Sequence, residues 1–410
     1  MAQDRPASAG SSSAAERARV AVVRAGGYDL STLRAALKEG AGLIGGLEHV
    51  IRPGTKVFVK INHLSPPSPP EHGIVTHPVF LEAVLELLSA CGASVTVGDD
   101  IDPGPRDGYQ VTGVREVCRR AGVVLVNLRE TGFAEVECQG THLERVYVAK
   151  AALDADVIVD LPKLKTHSLV SFTGGVKNMY GCVPRGTRVE NHYIYQRNAD
   201  FSQMLVDIFS VLRPHLTIMD GVVAMEGDGP AGGQLVELGL ILLGEDAVAT
   251  DAVAGQIVGM DPRRIYTTRY CHDRGLGVGD LARIDIVGEE LSRVIAHGFR
   301  LPAAYSTVTL RRVPRFVSRL VYQHTLPFQH VQEGLCTGCF ECLKICPAGA
   351  IIAVDGIARV DHSKCIHCRC CGEVCRDRAM TTRAPLAGRA LGVARGLRSA
   401  LRGLRDGVRR

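Results

Sequence analysis

Cysteine is the residue type whose spacing in this chain says most about chemistry. Nine of the 14 cysteines fall between Cys336 and Cys375, and the other five are scattered. Within the cluster, two runs of four cysteines share gaps of two, two and three residues. The runs are Cys336, Cys339, Cys342 and Cys346, followed by Cys365, Cys368, Cys371 and Cys375. Because the N-terminus shows no apolar secretion signal, we expect a reducing compartment, where clustered thiolates bind metal.

The doubled spacing is that of bacterial two-cluster ferredoxins, in which the fourth cysteine of each run binds the other run's cluster. It predicts two 4Fe-4S clusters with crossed ligands. The alternative is a pair of four-cysteine zinc sites, which usually show two close cysteine pairs and a longer loop. The first cluster would take Cys336, Cys339, Cys342 and Cys375, and the second Cys365, Cys368, Cys371 and Cys346.

Cys370 is a ninth thiol within the second run. We interpret it as a bystander of the second cluster, with ligand exchange or oxidation as the alternative. Arg376 follows Cys375, at a position where ferredoxins often have proline. We therefore expect Cys375 to remain a cluster ligand, in a more positive local field.

The rest of the chain must position a substrate or partner for these clusters. Its 410 residues, of which 46% are hydrophobic and 22% charged, exclude a disordered or collagen-like protein. No apolar run approaches the roughly 18 residues that a membrane-spanning helix needs. Short Val/Ile/Leu-rich runs alternate with amphipathic helical patterns between residues 19 and 290, which predicts an α/β fold with a mostly parallel sheet and flanking helices. The predicted strands are 19–25, 55–62, 94–100, 123–128, 156–162, 216–221, 238–244 and 282–288.

Changes in composition divide the chain into five parts. They predict a flexible leader (1–18), an α/β domain (19–300), a connecting segment rich in arginine and proline (301–333), a small α+β ferredoxin-like domain (334–382) and a basic amphipathic tail (383–410).

Ligands of open α/β sheets bind beyond the carboxyl ends of the strands, and in this chain those ends are polar. Three lysines, a diglycine and two amides lie near them, which predicts a site for an anionic molecule. A turn with free backbone N–H groups at Gly174 and Gly175 would form a cradle for the anion, although no GK[ST] sequence of a Walker A loop is present. The alternative is a solvated lysine loop. The expected binding residues are Asn62, Lys163, Lys165, Gly174, Gly175, Lys177 and Asn178.

Four residues near the same edge are candidates for acid–base chemistry. His167 is the first candidate for a proton donor, with Asp220, Glu226 and Asp228 behind it. Glu226 and Asp228 would also suit a divalent cation, but they lie in a Gly/Pro-rich segment that is equally typical of a simple turn. His77 precedes a helix, where capping competes with proton transfer.

The pattern around His192, Tyr193 and Tyr195 leaves open whether these rings line the cleft or pack against it. A Rossmann nicotinamide site is weakly supported, because no GxGxxG opens a helix after a strand, and a flavin stays an open alternative.

Several segments of the α/β part resemble a known family. These are TKVFVKINH (55–63), DVIVDLPKLKTHSLVSFTGGVKNMYG (156–181), IMDGVVAMEGDGP (218–230) and LGEDAVATDAVA (243–254). Over about residues 19–300 the chain is similar to the domain-of-unknown-function 362 family, whose members are often fused to a ferredoxin-type module. The resemblance implies an α/β fold and an iron–sulfur partnership, but no agreed reaction.

The tail carries eight arginines and one acid, whereas the whole chain has a formal net charge of only +5. Its apolar and basic residues fall on different helical faces, so it predicts contact with an anionic membrane or an acidic protein, with a solvated tail as the alternative. No nucleic-acid partner is expected, because no reading module accompanies the arginines. The protein is expected in the cytoplasm, either free or at the inner membrane face.

The leading hypothesis is an iron–sulfur oxidoreductase that exchanges electrons with an external partner protein and acts on a small anion at the strand ends. The first alternative is a non-catalytic electron-transfer or assembly protein that docks a redox partner. The second is a non-redox enzyme with structural clusters.

Overall fold

The computed structural model of the chain describes residues 17–64, 66–101, 107–306 and 328–383. Residues 1–16, most of the predicted connecting segment and all but the first residue of the predicted tail lie outside the described residues. Among the described residues, no helix has the length and apolar character needed to cross a membrane.

The strands follow the predicted Val/Ile/Leu runs and add several others. They are β1 (Ala18–Arg24), β2 (Lys56–Ile61), β3 (Ser94–Asp99), β4 (Val124–Asn127), β5 (Phe133–Glu137), β6 (Arg145–Ala149), β7 (Val157–Leu161), β8 (Lys163–His167), β9 (Ser171–Thr173), β10 (Leu216–Glu226), β11 (Gln234–Gly244), β12 (Ile284–Gly288), β13 (Phe328–Val331), β14 (Ile351–Val354), β15 (Ile357–Val360) and β16 (Met380–Arg383).

A ten-stranded sheet forms the centre of the α/β part. Its main path runs β12-β1-β11-β10-β7-β2-β3-β4, and β8 extends it by pairing with β10 and β9. Neighbouring strands on this path are parallel except where β11 pairs antiparallel with β1 and β10. The predicted fold class, a mostly parallel α/β sheet, is confirmed.

Helices cover both faces of this sheet, and two more lie among residues 328–383. They are α1 (Leu30–Leu43), α2 (Pro78–Ala90), α3 (Gly108–Val111), α4 (Val114–Ala121), α5 (Leu128–Thr131), α6 (Lys150–Leu153), α7 (Gly175–Asn178), α8 (Arg185–Ile194), α9 (Asn198–Val211), α10 (Ala247–Ile257), α11 (Tyr266–Asp273), α12 (Leu291–Val294), α13 (Ala303–Ser306), α14 (Glu341–Ile345) and α15 (Cys370–Glu373). Single turns of 3-10 helix add Pro70–His72, Met179–Cys182, Pro262–Arg264, Leu281–Arg283 and Glu333–Leu335.

The side chains of β7 show why its sequence is continuously apolar. Val157 and Val159 pack among the residues of α1, α2 and α4 on one face, whereas Ile158 packs with α9 and α11 on the other. Successive strand residues point to opposite faces, so a strand with helices on both sides needs apolar residues at every position. Burial on both faces therefore accounts for the sequence pattern from which the sheet was predicted.

Side-chain caps fix the starts of two long helices. Asp246 accepts hydrogen bonds from the backbone N–H groups of Val248 and Ala249 at 2.8 and 3.0 Å, and so begins α10. His77 Nδ1 accepts a hydrogen bond from Val79 N at 3.3 Å at the start of α2. Of the two roles considered for His77, the structure shows the capping role.

Residues 328–383, the C-terminal module, are built as two similar halves. β13 pairs antiparallel with β16, and β14 pairs antiparallel with β15. α14 and α15 each begin two residues after the second cysteine of their run. Val331, Ile351, Ala358, Val374 and Met380 form a small core between them. These strand pairs and short helices match the predicted α+β ferredoxin-like domain.

Candidate functional site

A cleft lies where the carboxyl ends of β2, β3 and β7 meet the C-terminal module. Its empty space is about 1000 Å³ when counted out to its open mouth. The α/β part contributes residues such as Asn62, Pro162 and Gly174, and the C-terminal module contributes Ile345, Cys370, Glu373 and Val374. The cleft therefore has one wall from each module.

Positively charged side chains outnumber carboxylates along this cleft. The cations are Lys60, Lys163, Lys165, Lys177, Arg185 and Arg188, and the carboxylates are Asp99, Asp100 and Glu373. An excess of cations in a partly enclosed cleft concentrates anions there.

Lys60 and Asp99 form a buried ion pair at the ends of β2 and β3. Lys60 Nζ lies 2.7 Å from Asp99 Oδ2 and also donates to the Ile61 carbonyl. The same carboxylate oxygen accepts a hydrogen bond from His63 N at 2.9 Å. Gly181 packs directly against the pair, because a Cβ there would lie 2.6 Å from Lys60 Nζ. The absence of a side chain at residue 181 thus makes room for this pair.

Lys163 belongs to a second buried network. Its ammonium lies 2.9 Å from Asp220 Oδ2 and also contacts the Tyr28 hydroxyl, which itself donates to Asp220 Oδ1 at 2.9 Å. The Tyr28 ring stacks on His77 with a centroid distance of 3.5 Å. Burial, followed by the charge of Asp220, raises the pKa of Tyr28 well above its usual range. Asp220 thus balances the charge of Lys163 and is not itself among the residues that line the cleft.

Lys165 differs from these two lysines. It is 2% exposed, and its Nζ donates to the Ile74 carbonyl at 2.6 Å. No carboxylate among the described residues forms an ion pair with it. Burial, followed by the charges of Lys177 and Lys163, lowers the pKa of Lys165 well below its usual range.

Lys177 and Asn178 complete the α/β wall. Asn178 Nδ2 donates to Asp160 Oδ1 at 2.6 Å, which fixes the amide at the cleft. Lys177 is half-buried and makes no ion pair with the residues that the structure describes. Burial lowers the pKa of Lys177, and the nearby carboxylate of Glu373 opposes that effect. Lys177 is therefore the cleft lysine best placed to meet an incoming anion.

The diglycine turn does not offer the free backbone N–H groups that were expected. Asp251 Oδ1 accepts a hydrogen bond from Gly175 N at 2.7 Å, and Asp251 Oδ2 accepts one from Val176 N at 3.1 Å. A Cβ at Gly174 would lie 2.0 Å from Asp251 Oδ1, so glycine is needed for this approach. The expectation of a backbone cradle is wrong in this respect, because a carboxylate of the chain itself already occupies it.

His167 lies at the contact between the two modules. Its Nδ1 accepts hydrogen bonds from the backbone N–H groups of Leu169 and Val170 at 3.0 and 3.3 Å, so a neutral ring carries its proton on Nε2. Nε2 lies 3.0 Å from Glu373 Oε1, although the two are not aligned as a regular hydrogen bond. Burial, followed by the charge of Lys177, lowers the pKa of His167 to about 3.

We conclude that His167 is neutral and directs its N–H toward the Glu373 carboxylate, since a second ring proton would face two backbone donors. His167 is fully buried and does not itself line the cleft, whereas Glu373 does. Any role of His167 in proton transfer must therefore act through Glu373.

Glu226 and Asp228 bond to other parts of the chain. Glu226 Oε2 accepts from Arg300 N at 2.7 Å, and Glu226 Oε1 pairs with Arg300 Nε at 2.5 Å. Asp228 Oδ2 accepts from Thr382 N at 3.4 Å and lies near Arg369 in the C-terminal module. The structure thus places both carboxylates in contacts that join segments of the chain, outside the residues lining the cleft.

The rings of His192, Tyr193 and Tyr195, at the end of α8, have different surroundings in the structure. His192 lines the cleft, and burial lowers its pKa to about 4. Tyr193 is 51% exposed, and Tyr195 packs against His142. Of the three, only His192 is among the cleft residues.

Sequence reasoning missed several residues that shape the cleft. Lys60 interrupts the apolar run of β2, and a charge within a strand buried on both faces was an available signal. Glu373 lies among the cysteines and was treated as part of that motif alone. Arg188, which bonds Asp100 Oδ2 at 2.7 Å, sits in a helix whose position against the sheet no local pattern reveals.

The cysteines lie in the two groups that the crossed ligand sets require. Burial, followed by the neighbouring thiols of Cys339, Cys375 and Cys336, raises the pKa of Cys342 to about 11. Cys365 has Cys368 and Cys346 as its thiol neighbours. The fourth cysteine of each run thus lies with the other run, which fits two 4Fe-4S clusters.

Among the described residues, no group of three or more histidine, cysteine, aspartate or glutamate side chains is arranged to hold a single metal ion. A cube-shaped cluster instead binds each thiolate to a different iron.

The two runs also share an unusual backbone. Left-handed conformations occur at three matched pairs of positions, two residues and four residues after the first cysteine and three residues after the fourth. The pairs are Gly338 and His367 (φ 69° and 57°), Phe340 and Arg369 (56° and 66°), and Gly349 and Arg378 (58° and 55°). Residues other than glycine rarely adopt this conformation. Its repetition at matched positions therefore indicates that the two runs follow the same backbone path.

Cys370 lies on the cleft side of the second run. It is 4% exposed, lines the cleft and interacts with the thiol of Cys368. It does not occupy the matched position of a ligand in either run, which agrees with its interpretation as a bystander.

Comparison with known proteins identifies both modules. A family model described as a domain of unknown function, DUF362, matches residues 57–256, and one described as a 4Fe-4S binding domain matches residues 330–351. The chain is 32% identical over 250 residues to the thylakoid-associated protein sll1697 of Synechocystis sp., and the alignment covers 60% of this chain and 77% of that protein. It is 42% identical over 53 residues to one component of an ion-translocating oxidoreductase complex of Methanosarcina acetivorans, covering 13% of this chain and 20% of that component.

Two solved structures show weaker likeness. The lactate racemase apoprotein of Thermoanaerobacterium thermosaccharolyticum aligns with a TM-score of 0.39 at 12% identity, over 58% of each chain. A Thermotoga maritima protein from a structural genomics effort aligns with a TM-score of 0.32 at 13% identity, over 50% of this chain and 52% of that one.

The family model and the extent of the Synechocystis alignment point the same way. The chain belongs to the DUF362 family and carries a 4Fe-4S ferredoxin-type domain at its C-terminal end.

Proposed function

We propose that this protein is an iron–sulfur oxidoreductase that binds a small anionic molecule in the cleft between its two modules. The observation that carries this proposal is the composition of the cleft, whose cationic α/β wall faces Cys370 and Glu373 of the C-terminal module. A molecule bound there would contact the segment that carries the second cysteine run.

The α/β wall supplies binding and orientation. Lys177 offers an ammonium without an ion-pair partner among the described residues, and Asn62 and Asn178 offer amides beside it. Lys60 and Lys163 are balanced by Asp99 and Asp220, so they contribute local dipoles more than net charge. Gly174 lines the cleft, but the N–H groups of the residues after it already donate to Asp251, so the diglycine turn contributes shape and no hydrogen bond to the molecule.

Two 4Fe-4S clusters, held by the crossed sets of four cysteines, would supply or accept single electrons when bound. The second set of cysteines is proposed from its matched spacing and backbone. Glu373 reaches the cleft and lies 3.0 Å from His167 Nε2, so any proton exchanged between the His167 ring and a bound molecule would pass through Glu373. A relay through Glu373 replaces the direct role first considered for His167, and it leaves Asp220, Glu226 and Asp228 in supporting contacts.

The electron partner is proposed to approach from the side of the first cysteine run. Cys339 of the first run is exposed, whereas Cys368 and Cys371 of the second run are buried and Cys370 between them lines the cleft. Leu335, next to the first run, is also 48% exposed. An external donor or acceptor protein would therefore contact the run farther from the cleft.

Iron and sulfide analysis of anaerobically purified protein tests the cluster count. Two clusters predict about eight irons per chain, whereas about four would reject the second cluster. Mass spectrometry of small molecules released on denaturation would identify an anion or a flavin carried through purification.

Thermal unfolding with oxalate as the probe tests the anion site. Oxalate should raise the unfolding temperature of the wild-type protein more than chloride does at equal ionic strength. Lys177→Gln should remove this effect, while Lys150→Gln, at an exposed lysine outside the cleft, should retain it. Equal stabilisation of both variants would reject the proposed anion site.

A second candidate is a non-catalytic electron-transfer or assembly protein. Its support is the similarity to a component of an ion-translocating oxidoreductase complex, a protein named as part of a larger assembly. This candidate predicts a partner protein that binds the C-terminal module and a cleft that no anion saturates.

We also propose a peripheral association with a membrane through the basic tail. The Synechocystis relative is named for its association with thylakoids, which supports the proposal. The tail itself lies almost entirely outside the described residues, so the proposal rests on its sequence.

A further inference from the structure

Three lysines are buried in the described part of the chain, and all three line the cleft. They are Lys60, Lys163 and Lys165, each no more than 2% exposed. Lys60 pairs with Asp99 at 2.7 Å, and Lys163 pairs with Asp220 at 2.9 Å. Lys165 makes no ion pair with any described residue, and its amine donates to a single backbone carbonyl, that of Ile74.

The charges around Lys165 do not compensate for the missing ion pair. Lys163 lies on the same strand and Lys177 on α7, and both repel a positive charge at Lys165. Glu373 of the C-terminal module and Asp99 after β3 attract it, but neither is within ion-pairing distance. Asp220 is already engaged by Lys163.

An unpaired ammonium is expensive to bury, and a lysine in such a position loses its proton instead. The pKa of Lys165 is accordingly lowered well below its usual range, first by burial and then by its two lysine neighbours. A neutral lysine that is buried beside other cations is an activated nucleophile.

We propose that Lys165 is a nucleophilic amine and that the cleft accepts an anion bearing an aldehyde or ketone group, which Lys165 binds as an imine. This inference rests on the proposed function in one respect, that the cleft binds an anion, and it adds the chemical class of that anion. Lys177 would hold the negative group while the carbonyl carbon faces Lys165.

The step balances without an oxidant or a reductant. The nitrogen lone pair of Lys165 attacks the carbonyl carbon and forms a C–N bond as the C–O π electrons move to oxygen. The two protons of the amine transfer to that oxygen, which leaves as water while the C=N bond forms. The ligand is then held covalently with its reactive carbon in the cleft.

Reductive trapping on the full-length, anaerobically purified protein tests the proposal. The protein is treated with glyoxylate, a small aldehyde with a carboxylate, and with cyanoborohydride at pH 7, and the modified lysines are identified by peptide mass spectrometry. Exposed lysines have pKa values near 10.4 and are almost fully protonated at this pH, so Lys165 should be modified at least about tenfold faster than they are. Suitable reference lysines are Lys38, Lys344 and Lys364.

Lys163 is the matched internal control, because it lies on the same strand and is equally buried but has a carboxylate partner. It should remain unmodified. Between pH 8 and pH 6 the modification of exposed lysines should fall about tenfold per pH unit, whereas that of Lys165 should change far less. The measurement uses the wild-type chain, so it does not require a Lys165 variant that folds.

Protection by oxalate separates this inference from the proposed function. Modification of Lys165 that oxalate slows supports both. Modification that oxalate leaves unchanged supports the amine but rejects the anion site. Stabilisation by oxalate without modification of Lys165, or modification confined to exposed lysines, overturns the imine proposal.

Discussion

At the residue scale, the cleft depends on close approaches between charged groups and glycines. Gly181 leaves room for the Lys60–Asp99 pair, and Gly174 leaves room for Asp251. In both places a backbone passes so near to a buried charge that any side chain would displace it. These glycines therefore act on the electrostatics of the cleft without carrying a functional group.

Gly181→Ala should destabilise the protein by about 1–3 kcal/mol, because the new methyl group would press on Lys60 Nζ and Asp99 Oδ1. Urea unfolding measures the change. Gly186→Ala is the matched control, since it lies in α8 with no atom within 4 Å of its added Cβ, and it should be neutral or slightly stabilising. Equal effects of the two substitutions would contradict the proposed role of Gly181.

Asp251 should make stability depend on pH. Burial raises its pKa from 3.8 to about 7, even though two backbone N–H groups favour its charged form. Between these values the folded state holds a proton that the unfolded state has lost, so the free energy of unfolding should decrease as the pH rises toward 7. The slope should approach about 1.4 kcal/mol per pH unit at most.

Urea unfolding of anaerobic protein at pH 5.5, 6.5 and 7.5 would measure this slope. Asp251→Asn cannot titrate, so its slope should be smaller than that of the wild-type protein in the same window. Identical slopes would show that Asp251 is ionised in the fold.

At the element scale, β8 connects the two modules. Its alternate residues Lys163 and Lys165 line the cleft, and His167 at its end meets Glu373 of α15. The strand pairs with β10 through an irregular register, with Asp220 opposite Lys163 and Met225 opposite Lys165. This irregularity lets a short polar strand leave the main sheet and face the C-terminal module.

Glu373→Ala should loosen this contact by about 1–3 kcal/mol, since it removes the carboxylate that lies 3.0 Å from His167 Nε2 and leaves that buried N–H with no negative group beside it. Hydrogen exchange of the backbone amides at 163–170 and 370–374 should become about tenfold faster or more. Glu341→Ala is the control, because its ion pair with Lys344 is exposed and contributes little. If both variants exchange at the same rate, the His167–Glu373 contact does not hold the modules together.

The elements also show what could be predicted from the sequence. The apolar strands β1, β2, β3, β4, β7 and β12 were predicted to within about two residues. In β1, β2, β3 and β7 burial leaves a continuous apolar pattern, whereas the edge strands β4 and β12 are identified by their Val/Ile/Leu content. β8 is not among the predicted strands, since its lysines are typical of a surface and their burial depends on partners distant in sequence. β10 and β11 were predicted too short, because they continue to pair with each other as far as Glu226 and Gln234, beyond a register shift between Gly221 and Val223.

The candidate site was predicted in part for a similar reason. The carboxyl ends of the strands place Asn62, Lys163 and Lys165 on one edge, as the rule for parallel sheets requires. The long-range partners of the neighbouring residues could not be predicted. Asp251 bonds Gly175 and Glu373 faces His167, across about 75 and 200 residues of the chain. Local patterns identify charged residues but not which of them neutralise one another.

At the scale of the whole molecule, the chain joins a ten-stranded α/β domain to a small module with two matched halves. The half nearer the cleft has His367 and Arg369 in left-handed conformations where the other half has Gly338 and Phe340. Cys370 of the second run lines the cleft, whereas Cys339 of the first run is exposed to the surroundings.

Removal of residues 384–410 should end the association of the protein with vesicles that contain anionic lipid, if the basic tail is a membrane element. Vesicle flotation measures the bound fraction, which should also fall as salt is added. Vesicles of neutral lipid are the control. If the shortened chain floats with the vesicles as well as the full-length chain does, the tail is not a membrane-binding element.

The shared cleft has a consequence for how such proteins can be recombined. Because one wall comes from each module, a chimera that joins this α/β domain to a ferredoxin domain from elsewhere would keep both folds but lose Glu373 opposite His167. We expect such chimeras to regain function only when both modules carry matching substitutions at their contact. The two modules should therefore be exchanged between relatives as a matched pair.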